Sequence, residues 1–493
     1  ISMEEKTAKK TTKRKSAVRK TASAGFIREL IKEQKKRIEK QRKWEAHLKE
    51  TMPPAKYQEY LEREKKRKTV IAVLAVVGAV LFVLLISAMV RGIGKLFSGR
   101  PASAPAAIVE TETETEGVYP EKDITIGSTG CMLLHSPFIS SYVDADGNYD
   151  YSSVYKFITP YYSAPDFMTC EFEGTLGGPE LGYSGYPNFK SPDVIIKNIR
   201  DSGVDLQMLA TNHSYDGLSS AFHRTMEVYE KDGIAYTGMR KSVSDKRYYV
   251  ADIDGIKVGF MDYVYETTGT GVNLNGIPLE EKDWDLINSF DYDDLDPFYE
   301  EAAQNIKDMR ADGAQFIVAN MHWGLEYHLT ESDEQREIAQ KLCNLGVDAL
   351  IGGHPHCLQP IDVFENASDG HKMFCIFSEG NALSNQRTYL MTNEMPTGHT
   401  EDGVMVTLSL HQNTAGEVSI TDVNILPTWV YRFQENGSKY YILPLDDVDS
   451  LPEKTGIEDL GDDAQKSYER TMEELGAGLA KAKAAFGEGN KGD

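Results

Sequence analysis

Two histidines separated by one residue, His354 and His356, follow an apolar run and two glycines. Neutral imidazole is the commonest protein ligand for transition metals, and glycine lets the backbone turn sharply where a strand ends. Surface loops also produce His-x-His by chance, so the pair alone is weak evidence. Its position after an apolar run makes this stretch the first candidate for a metal site.

Four other strand-like apolar runs also end in polar residues that can bind a metal. In open α/β sheets, sites form just beyond the carboxyl ends of strands, so these residues are expected to meet in one crevice. For any single run, ordinary turn and cap residues are the better explanation. Five runs together favour a shared metal site instead. The polar segments after these four runs are 171–174, 211–213, 322–324 and 378–381.

Strands that bring such segments together must be held by a scaffold. Strand-like runs alternate with helical patterns at 219–232, 295–312 and 331–345, which predicts βα units around a largely buried sheet. The expected class is therefore α/β, with the globular domain at 124–431. Residues 432–493 are predicted to form a C-terminal tail that includes a helix.

An uncharged apolar run at 69–90 precedes this domain. As a helix it is about 33 Å long, enough to cross a hydrocarbon core of roughly 30 Å. Four basic residues at 65–68 come directly before it, so the positive-inside rule places the N-terminus in the cytoplasm and the domain outside. We predict a single-pass anchor in the cell membrane. A cleaved signal peptide is the competing interpretation, but its apolar region is usually shorter and nearer the start.

Charge is distributed very unevenly along the 493 residues, whose formal net charge is -23. Residues 1–68 hold 23 basic and 10 acidic side chains, whereas the rest of the chain holds 30 basic and 66 acidic ones. This division predicts a basic cytoplasmic arm at 1–68 and an acidic extracellular body, joined after the anchor by a flexible stalk at 91–123. The five cysteines are too scattered for a disulfide scaffold and are expected to be buried free thiols, with Cys131 as an exception.

Several motifs, in order, resemble the CapA family of capsule or poly-γ-glutamate synthesis proteins, whose extracellular domain is related to calcineurin-like metallophosphoesterases. The resemblance covers about residues 124–431. Its motifs are Glu-Phe-Glu-Gly at 171–174, Thr-Asn-His-Ser-Tyr-Asp-Gly at 211–217, His-Trp-Gly-Leu-Glu-Tyr at 322–327, Gly-Gly-His-Pro-His at 352–356 and Ser-Glu-Gly-Asn at 378–381. The resemblance implies a four-layer αββα sandwich with a dimetal site on the loops at the strand ends.

The family's motifs also assign roles to residues of this chain. By that resemblance, one or two divalent ions (manganese, zinc or iron) would be bound by a set of five ligands. Two such ions can clamp a phosphoryl or carbonyl oxygen and lower the pKa of a bridging water. The implied ligands are Glu173, Asn212, His322, His354 and His356.

Other residues of the same motifs would support the ligands. His213 would lie over the substrate as an electrostatic stabiliser or general acid. Asp216, Glu326 and Asn381 would orient the ligating side chains from behind. Asp216 has an equally good alternative role, as the N-cap of the following helix.

The chain departs from the family pattern at the first strand. Cys131 stands where the family has a metal-binding Asp, and Glu171 stands where it has Asn. A Cys131 thiolate would bind a soft metal such as zinc or ferrous iron, whereas a neutral buried thiol would leave one metal position weakened or empty. His135 is close enough in sequence to be a substitute ligand.

These observations leave two main hypotheses of function. The first is an extracellular enzyme that hydrolyses a phosphoester, or an amide in an anionic cell-envelope polymer. The second is a non-catalytic membrane subunit that assists synthesis or export of poly-γ-glutamate or capsule. The acidic body weighs against the first, because a polyanion would be repelled unless the crevice is locally basic. A purely structural surface protein is a weaker third hypothesis. The expected partners are the membrane and an anionic polymer or its synthesis complex, and no nucleic acid.

Overall fold

The computed structural model describes residues 119–487, except 459 and 461. The predicted basic arm at 1–68 and the predicted transmembrane helix at 69–90 lie outside the described residues, as does most of the predicted stalk. Among the helices within the described range, none combines the length and apolar character that a membrane span requires.

Strands and helices alternate through the described part of the chain. The strands are β1 (Lys122–Leu133), β2 (Phe167–Glu173), β3 (Thr175–Leu176), β4 (Lys190–Ser191), β5 (Leu206–Met208), β6 (Ala235–Thr237), β7 (Tyr248–Ile253), β8 (Ile256–Tyr265), β9 (Asn273–Leu274), β10 (Ile277–Pro278), β11 (Ser289–Phe290), β12 (Phe316–His322), β13 (Ala349–Gly353), β14 (Leu358–Glu365), β15 (Lys372–Glu379), β16 (Asn381–Leu383), β17 (Asp402–Gln412), β18 (Val418–Gln434) and β19 (Ser438–Pro444). The helices are α1 (Ser136–Ser141), α2 (Thr159–Tyr162), α3 (Gly178–Leu181), α4 (Val194–Asp201), α5 (Leu218–Asp232), α6 (Asp296–Ala311), α7 (Asp333–Leu345), α8 (Leu451–Thr455) and α9 (Asp463–Phe486), with short 3-10 turns at Ser152–Tyr155, Glu281–Leu286 and His399–Glu401.

Most strands belong to two large mixed sheets. The first has the order β19-β18-β17-β1-β2-β5-β6, with β16 also paired to β1, and its β1, β2, β5 and β6 are parallel. The second has the order β11-β8-β12-β13-β15-β14, with β7 also paired to β8, and is parallel from β11 to β15. The strand-like runs and the alternating helices predicted from sequence are confirmed, and so is the mixed α/β class.

The apolar core is divided by the two sheets. One cluster holds inward side chains from strands of both sheets, such as Ile126, Phe260 and Ile376. A second cluster packs helices α4 and α5 on the first sheet, and a third packs α6 and α7 on the second. Strands such as β12 and β13 are buried along their whole length, which explains why their sequences are continuously apolar rather than alternating.

Local sequence signals set the helix ends. Helix α7 starts with a capping box in which Ser332 and Gln335 satisfy each other's backbone N–H groups. Helix α5 ends at Gly233, whose φ of 63° is the left-handed conformation that glycine adopts most easily. Each of these helices connects the end of one parallel strand to the start of the next. The carboxyl ends of the parallel strands therefore lie together.

The C-terminal segment is part of this domain. Strand β18 runs through position 431, where the sequence analysis ended the domain, and β19 adds the next strand to the same sheet. Helix α9 packs against β14 of one sheet and β18 of the other, and its Leu475 and Ala482 enter the core between the sheets. The predicted tail therefore closes one side of the two-sheet core, because its alternating strand and amphipathic helix have apolar faces to bury.

Candidate metal centre

Two carboxylates project from the carboxyl end of β2. Glu171 and Glu173 are two residues apart in the strand, so both lie on the same face of the sheet. Glu173 is completely buried, and neither of its carboxylate oxygens has a hydrogen-bond partner among the described residues. An isolated buried carboxylate is very unfavourable unless a proton, a hydrogen-bond donor or a cation satisfies it.

Three imidazoles surround one oxygen of Glu173. The Nε2 atoms of His356, His213 and His322 lie 3.7, 3.9 and 4.0 Å from Glu173 Oε1. These distances are too long for hydrogen bonds. Among the described residues, Glu173 and His356 form a compact ligand group with Cys131, and His322 forms a second one with Glu171 and Cys131. His213 and His322 come from segments after β5 and at the end of β12, so both sheets contribute.

His354 completes the group of imidazoles. Its ring centroid lies 4.7 Å from that of His322, and its buried Nδ1 has no hydrogen-bond partner among the described residues. His354 and His356 have φ angles of 94° and 55°, a region that is costly for residues other than glycine. The backbone of the His-Pro-His loop therefore adopts an unfavourable conformation at both histidines, and in this conformation both rings point into the centre.

Polar partners behind the rings fix their orientation. His213 Nδ1 is 2.7 Å from Asp216 Oδ2, and His356 Nδ1 is 3.1 Å from Asn381 Oδ1. Asp216 makes no side-chain cap to helix α5, whose N-cap is Gly217, so the structure places it behind His213 rather than at the helix end. Both pairs leave the Nε2 atoms directed toward Glu173.

His322 is held from both sides of its ring. Its Nδ1 hydrogen-bonds Glu171 Oε1, and its Nε2 is 3.0 Å from Asn212 Oδ1. Glu326, which was expected to orient an imidazole, is exposed and hydrogen-bonds none of them among the described contacts. It lines the cleft next to the site, on a loop in which Gly324 and Tyr327 have positive φ angles of 86° and 61°.

Cys131 faces the centre from the end of β1. Its Sγ lies 3.4 Å from Glu171 Oε2, and it forms possible ligand groups with Glu171 and His322 and with Glu173 and His356. Burial, followed by the nearby carboxylates of Glu171 and Glu173, raises the pKa of the Cys131 thiol well above its usual value. In the absence of a metal ion these surroundings favour the neutral thiol, one of the two alternatives for this position.

His135 does not join the ligand groups found among the described residues. Its Nδ1 accepts the backbone N–H of Asn385, and its ring packs edge-on against Phe189, which in turn contacts His213. Burial lowers the pKa of His135 to about 4. His135 is therefore a neutral wall residue next to the centre.

The electrostatics of the group suit a bound cation. Burial, with Glu171 as the next cause, raises the pKa of Glu173 well above its usual range. Burial and the neighbouring imidazoles lower the pKa of His354 far below normal, and they lower that of His356 to about 3. Unpartnered carboxylate oxygens beside neutral, inward-pointing imidazoles form a donor set that zinc, iron or manganese can accept. The residues present therefore fit a divalent metal.

A cleft of about 460 Å³ opens beside the centre. Tyr327, on its wall, stacks on His356 with ring centroids 6.1 Å apart. No lysine or arginine is among the described residues that line it, whereas Glu326 and Glu394 are. The lining residues are His135, Tyr186, Glu326, Tyr327, Asn385, Gln386, Leu390, Met391 and Glu394.

Comparisons with known proteins agree with the motifs. Residues 125–386, just over half of the chain, match the model of the family described as bacterial capsule synthesis protein PGA_cap. The chain belongs to this family. It is 23% identical over 284 residues to the PGA biosynthesis protein CapA of Bacillus subtilis (strain 168), a match that covers 55% of this chain and 65% of that protein. It is also 23% identical over 321 residues to the capsule biosynthesis protein CapA of Bacillus anthracis, covering 63% of this chain and 71% of that protein.

The chain thus spans less than two thirds of the length of the first of these relatives. The predicted resemblance to the CapA family is confirmed, and the family match ends before β17. Strands β17, β18 and β19 nevertheless complete the first sheet, so the folded domain extends beyond the matched segment.

The structure brings together all seven residues proposed as ligands or catalyst: Cys131, Glu173, Asn212, His213, His322, His354 and His356. Glu171 was predicted only as part of the polar segment 171–174 and as a departure from the family's Asn, although the Glu-x-Glu spacing in a strand puts it on the same face as Glu173. Tyr265 was also missed; its ring lies 4.8 Å from that of His354, at the end of β8. Its only sequence signal was its place at the end of an apolar strand.

Proposed function

We propose that this chain is a membrane-anchored extracellular hydrolase of capsule or poly-γ-glutamate synthesis, with a four-layer αββα sandwich of the metallophosphoesterase type. The proposal rests on its family and on one geometric observation. Three imidazole Nε2 atoms lie 3.7–4.0 Å from a buried Glu173 oxygen that has no hydrogen bond among the described residues. A cation bound by Glu173 and the imidazoles beside it would satisfy this buried carboxylate.

In this proposal the metal is manganese, zinc or iron, present as one or two ions. Glu173, His322, His354 and His356 would hold it together with Asn212, whose carbonyl oxygen already faces the same space. When bound, the metal supplies Lewis acidity and lowers the pKa of a coordinated water. The loops keep the ligands fixed through the hydrogen bonds of Asp216, Glu171 and Asn381.

His213 is the residue best placed to move a proton. Its Nδ1 is held by Asp216, and its ring lies against Phe189 at the border of the cleft. With Nδ1 donating its hydrogen to that carboxylate, Nε2 can accept a proton and, from the imidazolium form, pass it to the leaving group of a substrate in the cleft. The substrate class would be a phosphoester, or an amide of a cell-envelope polymer.

A second function is favoured by a different observation. The position at the end of β1 carries a thiol hydrogen-bonded to Glu171, and the cleft wall is acidic. A weakened metal site that repels polyanions would suit a non-catalytic accessory subunit of a polymer synthesis or export complex.

One experiment separates the two functions. The full chain is purified, loaded with manganese, zinc or iron, and assayed for hydrolysis of a generic phosphodiester and of poly-γ-glutamate. The hydrolase predicts turnover that falls at least 100-fold in His213→Gln, in keeping with the usual worth of a general acid. His411→Gln is the matched control, since His411 lies on β17 and pairs with an exposed carboxylate of Asp123. No metal-dependent turnover by the wild type would favour the accessory subunit.

A further inference from the structure

Glu171 lies between two groups of the centre that come from different strands. Cys131 and Glu171 are directly paired residues of the parallel strands β1 and β2, at a register shift that begins at Thr129. One carboxylate oxygen faces the Cys131 thiol at 3.4 Å, and the other hydrogen-bonds His322 Nδ1. The single carboxylate therefore links β1, β2 and β12.

The backbone around Glu171 leaves room for this carboxylate. A Cβ atom at Gly353 would lie 1.8 Å from Glu171 Oε2, so any side chain there would displace the carboxylate. A Cβ atom at Gly130 would lie 2.2 Å from the carbonyl oxygen of Gly380. Gly353 thus permits the close approach of the Glu171 carboxylate, and Gly130 permits the close approach of β1 to the backbone of Gly380.

The hydrogen bonds of His322 show what Glu171 does to its ring. A carboxylate only accepts hydrogen bonds, so the Nδ1 of His322 must carry the proton. Its Nε2 then points toward Asn212 Oδ1 at 3.0 Å and Glu173 Oε1 at 4.0 Å, the space where the ligands converge. A carboxylate behind an imidazole in this way fixes the tautomer and raises the basicity of the ligating nitrogen.

We propose that Glu171 is a positioning residue that holds His322 with Nε2 directed to the metal and keeps Cys131 as a thiol outside the coordination sphere. The thiol donates its hydrogen to Glu171 Oε2, while Glu171 Oε1 accepts the hydrogen of His322 Nδ1. The metal part of this proposal rests on the proposed function. The orientation of His322 does not depend on the proposed function, because the hydrogen bonds of Glu171 to Cys131 and to His322 need no metal.

The orientation is tested first on the metal-free full chain, labelled with ¹⁵N-histidine. We expect a low-field proton resonance correlated with Nδ1 of His322, assigned by its absence in His322→Gln. In Glu171→Gln this resonance should move upfield or vanish, because an amide oxygen is a weaker acceptor than a carboxylate. An Nδ1 of His322 without a proton, or a resonance unchanged in Glu171→Gln, would overturn the proposal whatever the metal content.

The metal part is tested with cobalt(II) as a spectroscopic probe. Glu171→Gln should lower cobalt affinity about 10- to 100-fold, the usual effect of removing such a partner. Cys131→Ser should leave affinity within about twofold, and the wild type should show no thiolate-to-cobalt charge-transfer band. A band that disappears in Cys131→Ser would show thiolate ligation and overturn the assignment of Cys131. Equal affinity in the wild type and Glu171→Gln would overturn the role of Glu171.

The histidine resonance experiment and the cobalt-binding experiment together distinguish failure of this inference from failure of the proposed function. A protonated Nδ1 of His322 that depends on Glu171, together with no cobalt binding by the wild type, would support the positioning role and contradict the hydrolase. Thermal unfolding of each variant checks that the fold is intact. A purely structural role for Glu171 would lower the midpoint of unfolding without moving the His322 resonance.

Discussion

Glu173 is the residue on which the proposed metal centre depends. It is fully buried, its oxygens lack partners among the described residues, and three imidazoles point at one of them. A bound cation would satisfy this carboxylate and would stabilise the folded state over the unfolded chain by mass action.

Replacing Glu173 by Gln should therefore remove most of the stabilisation that metal gives. At a metal concentration of 100 times Kd, we expect the free energy of unfolding of the wild type to rise by about 2.7 kcal/mol. The variant lacks the charge that attracts the cation and should gain much less. Urea unfolding with and without manganese measures the gain in the free energy of unfolding of the wild type and of Glu173→Gln. Glu417→Gln is the control. Equal gains in the two proteins would contradict the assignment of Glu173.

His135 gives a prediction about pH. Its pKa is lowered by burial to about 4, whereas an unfolded histidine titrates near 6.5. Between pH 6.5 and 4 the unfolded state therefore binds more protons than the folded state. The contribution of neutral His135 to the free energy of unfolding is fully present above pH 6.5 and is lost as the pH falls toward 4. In His135→Gln this loss should be smaller by up to about 2–3 kcal/mol. A difference between the two proteins that stays constant from pH 7 to 4 would refute the prediction.

At the scale of elements, the parallel strands position the site. Strands β2, β12 and β13 end at the candidate centre, and each carries a proposed ligand at or just after its last residue. Helix α9 stabilises the domain by packing against β14 of one sheet and β18 of the other. Its Arg470 makes a bidentate ion pair, at 2.6 and 2.7 Å, with the buried Asp402 at the start of β17.

Removing this anchor should be costly. In Arg470→Ala the carboxylate of Asp402 would remain buried without its cation, which typically costs about 3–5 kcal/mol. Lys466→Ala is the control, because Lys466 pairs with Asp463 on the exposed face of the same helix and should change stability by less than about 0.5 kcal/mol. Thermal unfolding distinguishes them. Similar midpoints for both variants would show that the ion pair of Arg470 with Asp402 does not stabilise the domain.

The sequence predicted the parts of this scaffold that are periodic. Strands β2, β12 and β15 and helices α5, α6 and α7 appear where their patterns placed them, since continuous apolar runs and helical spacing are local signals. The end of the domain was not predicted, because only tertiary packing shows that β19 and α9 have a core to cover. Within the site, the role of Glu171 depended on the register between β1 and β2, which no local pattern reveals.

At the scale of the whole molecule, charge is the main constraint on the partner. The chain after residue 68 holds more than twice as many acidic as basic residues, and the cleft wall carries Glu326 and Glu394. A polymer with a carboxylate on every residue would meet like charges at the cleft. A divalent metal bound at the proposed centre would supply the compensating positive charge.

Reversing one of these charges should strengthen the binding of a polyanion. In Glu394→Lys we expect the affinity for poly-γ-glutamate to rise about fivefold at low salt, an effect below about 1 kcal/mol as is usual for an exposed charge, and to return toward the wild type at high salt. Glu417→Lys makes the same charge change in the turn between β17 and β18 and should have little effect. Equal gains in affinity in the two variants would show that the overall charge of the protein, and not the charge at the cleft, determines the binding of poly-γ-glutamate.

The most direct test of the metal centre is the metal content of the full chain, measured by elemental mass spectrometry after loading and removal of free ions. We predict one to two equivalents of manganese, zinc or iron in the wild type and in the control His411→Gln. His354→Ala should fold normally and hold less than half of that amount. The same metal content in His354→Ala as in the wild type, or no stoichiometric metal in the wild type, would contradict the account.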